Sequence, residues 1–90
     1  MSERDDPLRL ADIVEQIDFL TAALASKTFD DFIRDPVTQK AAIYALQVIG
    51  EAANRLSETA KGAAPDVEWP KIIALRNRIA HGYFALELDS

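Results

Sequence analysis

The sequence contains no cysteine, which excludes a disulfide scaffold, a thiolate metal site and a cysteine nucleophile. It contains one histidine, His81, so a histidine-rich metal site within one chain is excluded as well. No apolar run approaches the ~20 residues that a membrane-spanning helix needs. The opening Met1-Ser2-Glu3-Arg4-Asp5-Asp6 has the wrong charge for a secretory signal, so no membrane partner is expected and the cytoplasm is the default compartment. Asn-Gly and Asp-Gly pairs are absent, and no stretch alternates apolar and polar residues long enough to suggest a strand. An excess of basic charge is also missing. With 15 acidic and 10 basic side chains the formal net charge is -5, which argues against a protein that coats nucleic acid broadly.

What is present reads as helix. Ninety residues make about one small domain, because two halves would each be too small to bury a useful core. Hydrophobic residues at 49% and charged residues at 28% fit a globular chain and are too apolar for a disordered one. A first helix is expected near Pro7, capped by Asp5 or Asp6, with Leu10, Ile13, Val14, Ile17, Leu20 and Leu24 at helical spacing. Residues 26–35 read as a turn or helical stub whose Phe29 and Phe32 tuck against the core. Asp35-Pro36 starts a middle helix running to about Ala60.

That middle helix carries two stripes. Ile43, Leu46, Ile49, Ala53 and Leu56 form one; the smaller Ala41, Ala45, Val48 and Ala52 form the other. Apolar surface on two sides implies two neighbours, the helix's own core and a second chain. Gly50 in mid-helix costs roughly 1 kcal/mol relative to alanine, so a close backbone approach is expected there. A loop follows around residues 61–65, with Gly62 as terminator. A last helix opens at Trp69-Pro70 and runs through Ile72, Ile73, Leu75 and Ile79 towards Gly82. The expected fold is an all-α, small antiparallel helical bundle forming a single domain, 1–90, and self-associating through its middle and last helices.

Charge is unevenly spread. Between Trp69 and Leu86 there is no acid, while Lys71, Arg76, Arg78 and His81 fall in that window. Charge alone favours a solvated cationic helix end near a C-terminus, where positive charge is stabilising anyway. The residue order is more specific: Arg76-Asn77-Arg78-Ile79-Ala80-His81-Gly82-Tyr83. Asn77 and His81 are four apart and lie within ~40° on a helix, whereas Arg76 and His81 lie ~140° apart and do not converge without a partner element or a break. Gly82 offers such a break. Histidine moves a proton near neutral pH, and arginine presents a fork that matches phosphate oxygens. This is an inventory for handling a phosphodiester.

Arg76, four residues, His81, one residue, Tyr83 resembles the signature of HEPN-domain proteins, specifically the HepT-like toxins. Asn77 directly after the arginine, the segment Ile49-Gly50-Glu51-Ala52, and Trp69 leading into the motif agree with that resemblance, which covers most of the chain. The resemblance implies a helical-bundle endoribonuclease acting on RNA, metal-independent and without a cofactor, with a composite active site at a homodimer interface. His81 would then be the general acid or base, Arg76 would stabilise charge on the phosphate, and Asn77 would orient His81 or the substrate. It also implies a toxin-antitoxin pair, in which an MNT-type nucleotidyltransferase antitoxin silences the toxin by AMPylation of Tyr83.

Several residues keep two readings. Tyr83 taken without the resemblance is a packing phenol, and Arg78 either attracts phosphate or sits on the surface. Glu51 either pairs with a motif arginine across the bundle or faces solvent at the end of its stripe; Lys40, Arg55 and Lys61 read as solvated. A rival to the enzyme is a catalytically silent HEPN module that binds a nucleotidyltransferase or nucleotides as a scaffold. The family pattern includes a further helix after the motif, and this chain stops seven residues after Tyr83, so either that helix is absent or the sequence is incomplete.

Overall fold

The computed structural model describes residues 3–89, and at Ala80 and residues 82–89 only the backbone is described. A 3-10 turn at Glu3–Asp5 leads into α1 (Asp6–Leu24); α2 (Phe29–Ile33), α3 (Pro36–Arg55), α4 (Glu58–Gly62) and α5 (Trp69–Asp89) follow, with no strand among the described residues. The three long helices form the bundle. α3 lies in the middle, packed against α1 on one side and α5 on the other.

Both neighbours of the middle helix described here, α1 and α5, thus belong to its own chain, where a second chain was expected as one of the two. The residues that bury on α3 are mostly its small ones: Ala42, Ala45, Ala52 and Ala53, together with Gly50. Alanine keeps helix propensity high while its methyl lets a neighbouring helix come close. Ile13 of α1 meets Ala52 and Leu56 in the core, with Ile49, Ala60 and Trp69 packed around them.

Hydrogen bonds tie the ends together. The Asp6 carboxylate accepts from the Ser57 backbone N–H at 2.9 Å and from the Ser57 hydroxyl at 2.6 Å. Ser57 in turn accepts from the Ala60 N–H, capping α4. The start of α1 therefore meets the residues just past the end of α3, which fixes these two helices as antiparallel. Trp69 closes the other end of the short α4: its indole N–H donates to the Lys61 and Ala64 carbonyls at 3.1 and 3.3 Å.

Several expectations are corrected. α3 stops at Arg55 rather than Ala60, because Leu56 turns extended (φ -67°, ψ 145°) to bury its side chain and Ser57 begins a new helix. Asp5 precedes α1 without a side-chain cap, and Asp6 reaches to Ser57 instead. α5 passes through Gly82 unbroken to Asp89, so the motif lies within a helix and not in its last turn. Phe29, expected against the core, is 75% exposed on α2, a one-turn stub. On α1 only Ile13 of the expected apolar stripe is buried; Leu10, Val14, Ile17 and Leu24 stay largely uncovered.

Candidate active site

The site is built where α5 crosses α3. A Cβ placed on Gly50 would overlap the Arg76 Cβ and lie 2.6 Å from its Cγ, so the aliphatic stem of Arg76 rests directly on the Gly50 backbone. The close approach expected at this glycine is observed, and its occupant is the motif arginine. With its stem seated there, Arg76 reaches along α3 to Glu51: Nη2 donates to Oε2 at 2.7 Å. Its other terminal nitrogen donates to the Asn77 Oδ1 at 2.9 Å. The guanidinium is therefore held at two points.

Glu51 is shared. Its Oε1 accepts from Arg55 Nε at 2.8 Å, so one carboxylate bridges two arginines. The Arg55 hydrogen bond, followed by the charges of Arg76, Arg55 and Arg9, holds the Glu51 carboxyl below the usual carboxylate range, against the opposing effect of its partial burial. Of the two readings left open for Glu51, the geometry is the pairing across the bundle. Arg55 is not simply solvated, since it grips Glu51. Lys61 is also partly covered, with its ammonium 3.7 Å from Glu58. Lys40 is exposed as expected.

A cleft of about 290 Å³ opens beside this pair. α3 lines it with Tyr44, Gln47, Val48, Glu51 and Ala52, α1 with Arg9 and Asp12, and α5 with Arg76. Arg9 is among the lining residues, and its buried Nε has no hydrogen-bond acceptor among the described residues. Arg9, Asp12, Tyr44 and Gln47 were not reached by sequence reasoning. The spacing of Tyr44, Gln47 and Glu51 puts them on one helical face, which was the available signal.

The remaining motif residues stand apart from this pair. His81 and Arg78 are exposed on α5. Because that helix is continuous from Arg76 to His81, the ~140° between the two stands, and one chain does not bring them together. The side chain of Tyr83 lies outside the described residues. Among the described residues no cluster of three His, Cys, Asp or Glu side chains could hold a metal ion, and no helix is long and apolar enough to cross a membrane.

The class of protein is a helical bundle with a three-helix core, whose central helix orders an arginine through its carboxylate while the last helix exposes a histidine. The family described as "HepT-like: Ribonuclease HepT-like" matches residues 13–90. The chain is 36% identical over 89 residues to "Putative RNase MJ0127" of Methanocaldococcus jannaschii, covering 99% of this chain and 74% of that protein. It is 33% identical over 79 residues to "Probable ribonuclease HepT" of Thermococcus cleftensis, covering 88% of this chain and 72% of that protein. No solved structure matches it. The chain belongs to the HepT-like ribonuclease family.

Proposed function

We propose that this chain is a metal-independent endoribonuclease whose active site is completed by a second copy. The observation that carries the proposal is the Arg76 guanidinium, fixed by Glu51 and Asn77 on the same helix that exposes His81. One His81 removes the proton of the ribose 2′-hydroxyl; the 2′-oxygen attacks phosphorus and the bond to the 5′-oxygen breaks. A second histidine returns a proton to that leaving oxygen. The products are a 2′,3′-cyclic phosphate and a 5′-hydroxyl. Arg76 stabilises the charge that builds on the non-bridging oxygens, and Asn77 keeps the guanidinium aimed. Arg78 adds to the positive face.

Two histidines are needed for this sequence of proton transfers, and each chain has one. The ~140° between Arg76 and His81 likewise calls for residues from another chain. The uncovered Leu10, Val14 and Ile17 on α1 supply apolar surface of the kind that protein association buries. The homodimer is therefore part of the proposal, with α5 of each copy contributing to the shared site.

The proposal extends to a toxin role, with an MNT-type nucleotidyltransferase as antitoxin and Tyr83 as the AMP acceptor, and rests there on the resemblance carried by Arg76, His81 and Tyr83. AMP on Tyr83 would set a phosphate and a base two residues beyond His81, where RNA would otherwise lie.

The test is cleavage of RNA by purified protein in EDTA, with His81→Ala and Arg76→Ala variants made separately. Each variant alone is expected to lose activity. Refolding wild-type chain with an excess of His81→Ala is expected to lower activity below the wild-type fraction, because a mixed dimer holds one histidine where two are needed. Full activity in His81→Ala, or no cleavage by the wild-type chain in EDTA, overturns the proposal.

A further inference from the structure

The cleft next to Arg76 has a chemistry that the phosphodiester mechanism does not use. From α1 it is lined by Arg9 and Asp12, three residues apart and therefore neighbours on one face of the helix. Arg9 makes no hydrogen bond or ion pair among the described residues, and with its Nε buried it is the terminal guanidinium nitrogens that can face a ligand. Asp12 is a carboxylate that only accepts, and no ion pair joins it to Arg9 among the described residues. On α3, Tyr44 presents its side chain at 65% exposure and Gln47 offers an amide with both donor and acceptor atoms. A ring left that exposed beside unsatisfied polar groups is a stacking platform for an unpaired base.

We infer that this cleft is a guanine-binding subsite for single-stranded RNA. The inference rests on the ribonuclease reading and names which nucleotide sits beside the scissile phosphate. Guanine presents two acceptors, O6 and N7, on one edge, which match the paired donors of an arginine. On its Watson–Crick edge it presents two adjacent donors, N1–H and the N2 amino group, which match a carboxylate. Adenine, cytosine and uracil each lack one of these pairs. Arg9 takes the acceptor edge and Asp12 the donor edge, the base stacks on Tyr44, and Gln47 bonds whichever polar atom faces α3. The volume of about 290 Å³ lies at the small end of ligand pockets, suited to one nucleotide rather than a large ligand. Arg76 lines the same cleft, so a base seated here places its own phosphate against the guanidinium that Glu51 holds.

Binding is measured separately from cleavage by using 2′-O-methylated pentanucleotides, which have no attacking hydroxyl. Fluorescence anisotropy of the full chain with labelled UUGUU, UUAUU, UUCUU and UUUUU is expected to show roughly tenfold tighter binding of UUGUU. Asp12→Asn is expected to erase that preference, bringing the four affinities together. Tyr44→Ala is expected to weaken all four, and Tyr44→Phe to retain them. Equal affinity for the four pentamers, or a guanine preference that survives Asp12→Asn, overturns the subsite. Tyr44 is exposed and Asp12 only half-buried, so these variants are expected to fold, and thermal melting verifies it. Unmodified RNA separates the two claims. Cleavage without base preference retains the ribonuclease and removes the subsite, whereas guanine preference without any cleavage does the reverse.

Discussion

Gly50 and Arg76 are in direct contact: the arginine stem lies where any other residue at position 50 would carry its Cβ. Glycine in mid-helix is normally the costly choice, and replacing it with alanine usually gains about 1 kcal/mol of helix stability. Here the sign reverses, because the atoms displaced belong to the stem of a side chain pinned at its far end by Glu51 and Asn77.

Gly50→Ala is accordingly expected to destabilise the chain by about 1–3 kcal/mol, the usual cost of overpacking, and to abolish cleavage by pushing Arg76 off its seat. Urea unfolding followed by tryptophan fluorescence measures the first effect and an RNA cleavage assay the second. A variant as stable as the wild type would show that α5 is free to slide away from α3.

Glu51→Gln separates stability from function. The Arg76–Glu51 pair is 36% and 38% exposed, so its net worth is about 1 kcal/mol or less. A small change in Tm is expected. The guanidinium loses a charged anchor, and misplacement of a catalytic group costs on the order of a hundredfold in rate. Kinetics with saturating RNA are expected to show the loss mainly in kcat, with KM nearly constant.

Acid is expected to weaken the fold through Asp6. Its carboxyl is held below its ordinary value by the hydroxyl and N–H of Ser57, and Asp31 and Asp35 are lowered in the same way by Thr28 and Thr38. A depressed folded-state pKa contributes stability that is fully present above the unfolded value near 4 and is lost as pH falls through the lower folded value. Melting curves between pH 6 and pH 2.5 are expected to show the midpoint falling across this acidic range. Asp6→Asn is expected to start lower at pH 6 and to fall less.

Trp69→Phe removes the only indole in the chain and leaves the carbonyls of Lys61 and Ala64 without their donor. Losing a half-buried hydrogen bond of this kind costs about 1 kcal/mol. Chemical unfolding followed by circular dichroism is expected to show that loss with the helical content intact, because the ring still packs against the core.

Much of this protein is determined by its sequence. Helical spacing, Asp35-Pro36 and Trp69-Pro70 locate the long helices, and Gly50 announces a contact without naming what makes it. The order from Arg76 to Tyr83 identifies the family, because chemistry held on one helix is local in sequence. Only the tertiary structure decided the rest. That Asp6 serves Ser57, 51 residues away, depends on two helix ends meeting, and no local pattern encodes that meeting. The break at Leu56 follows from a side chain leaving the helical line to reach the core, and the unbroken α5 shows that Gly82 is tolerated rather than used. The cleft is the clearest case. Arg9 and Asp12, then Tyr44 and Gln47, then Arg76 lie on three different helices, and only the packing of α1 and α5 against α3 brings their polar atoms around one volume. Periodicity tells which face a residue occupies. Which faces meet is set by close packing of alanines and one glycine along α3.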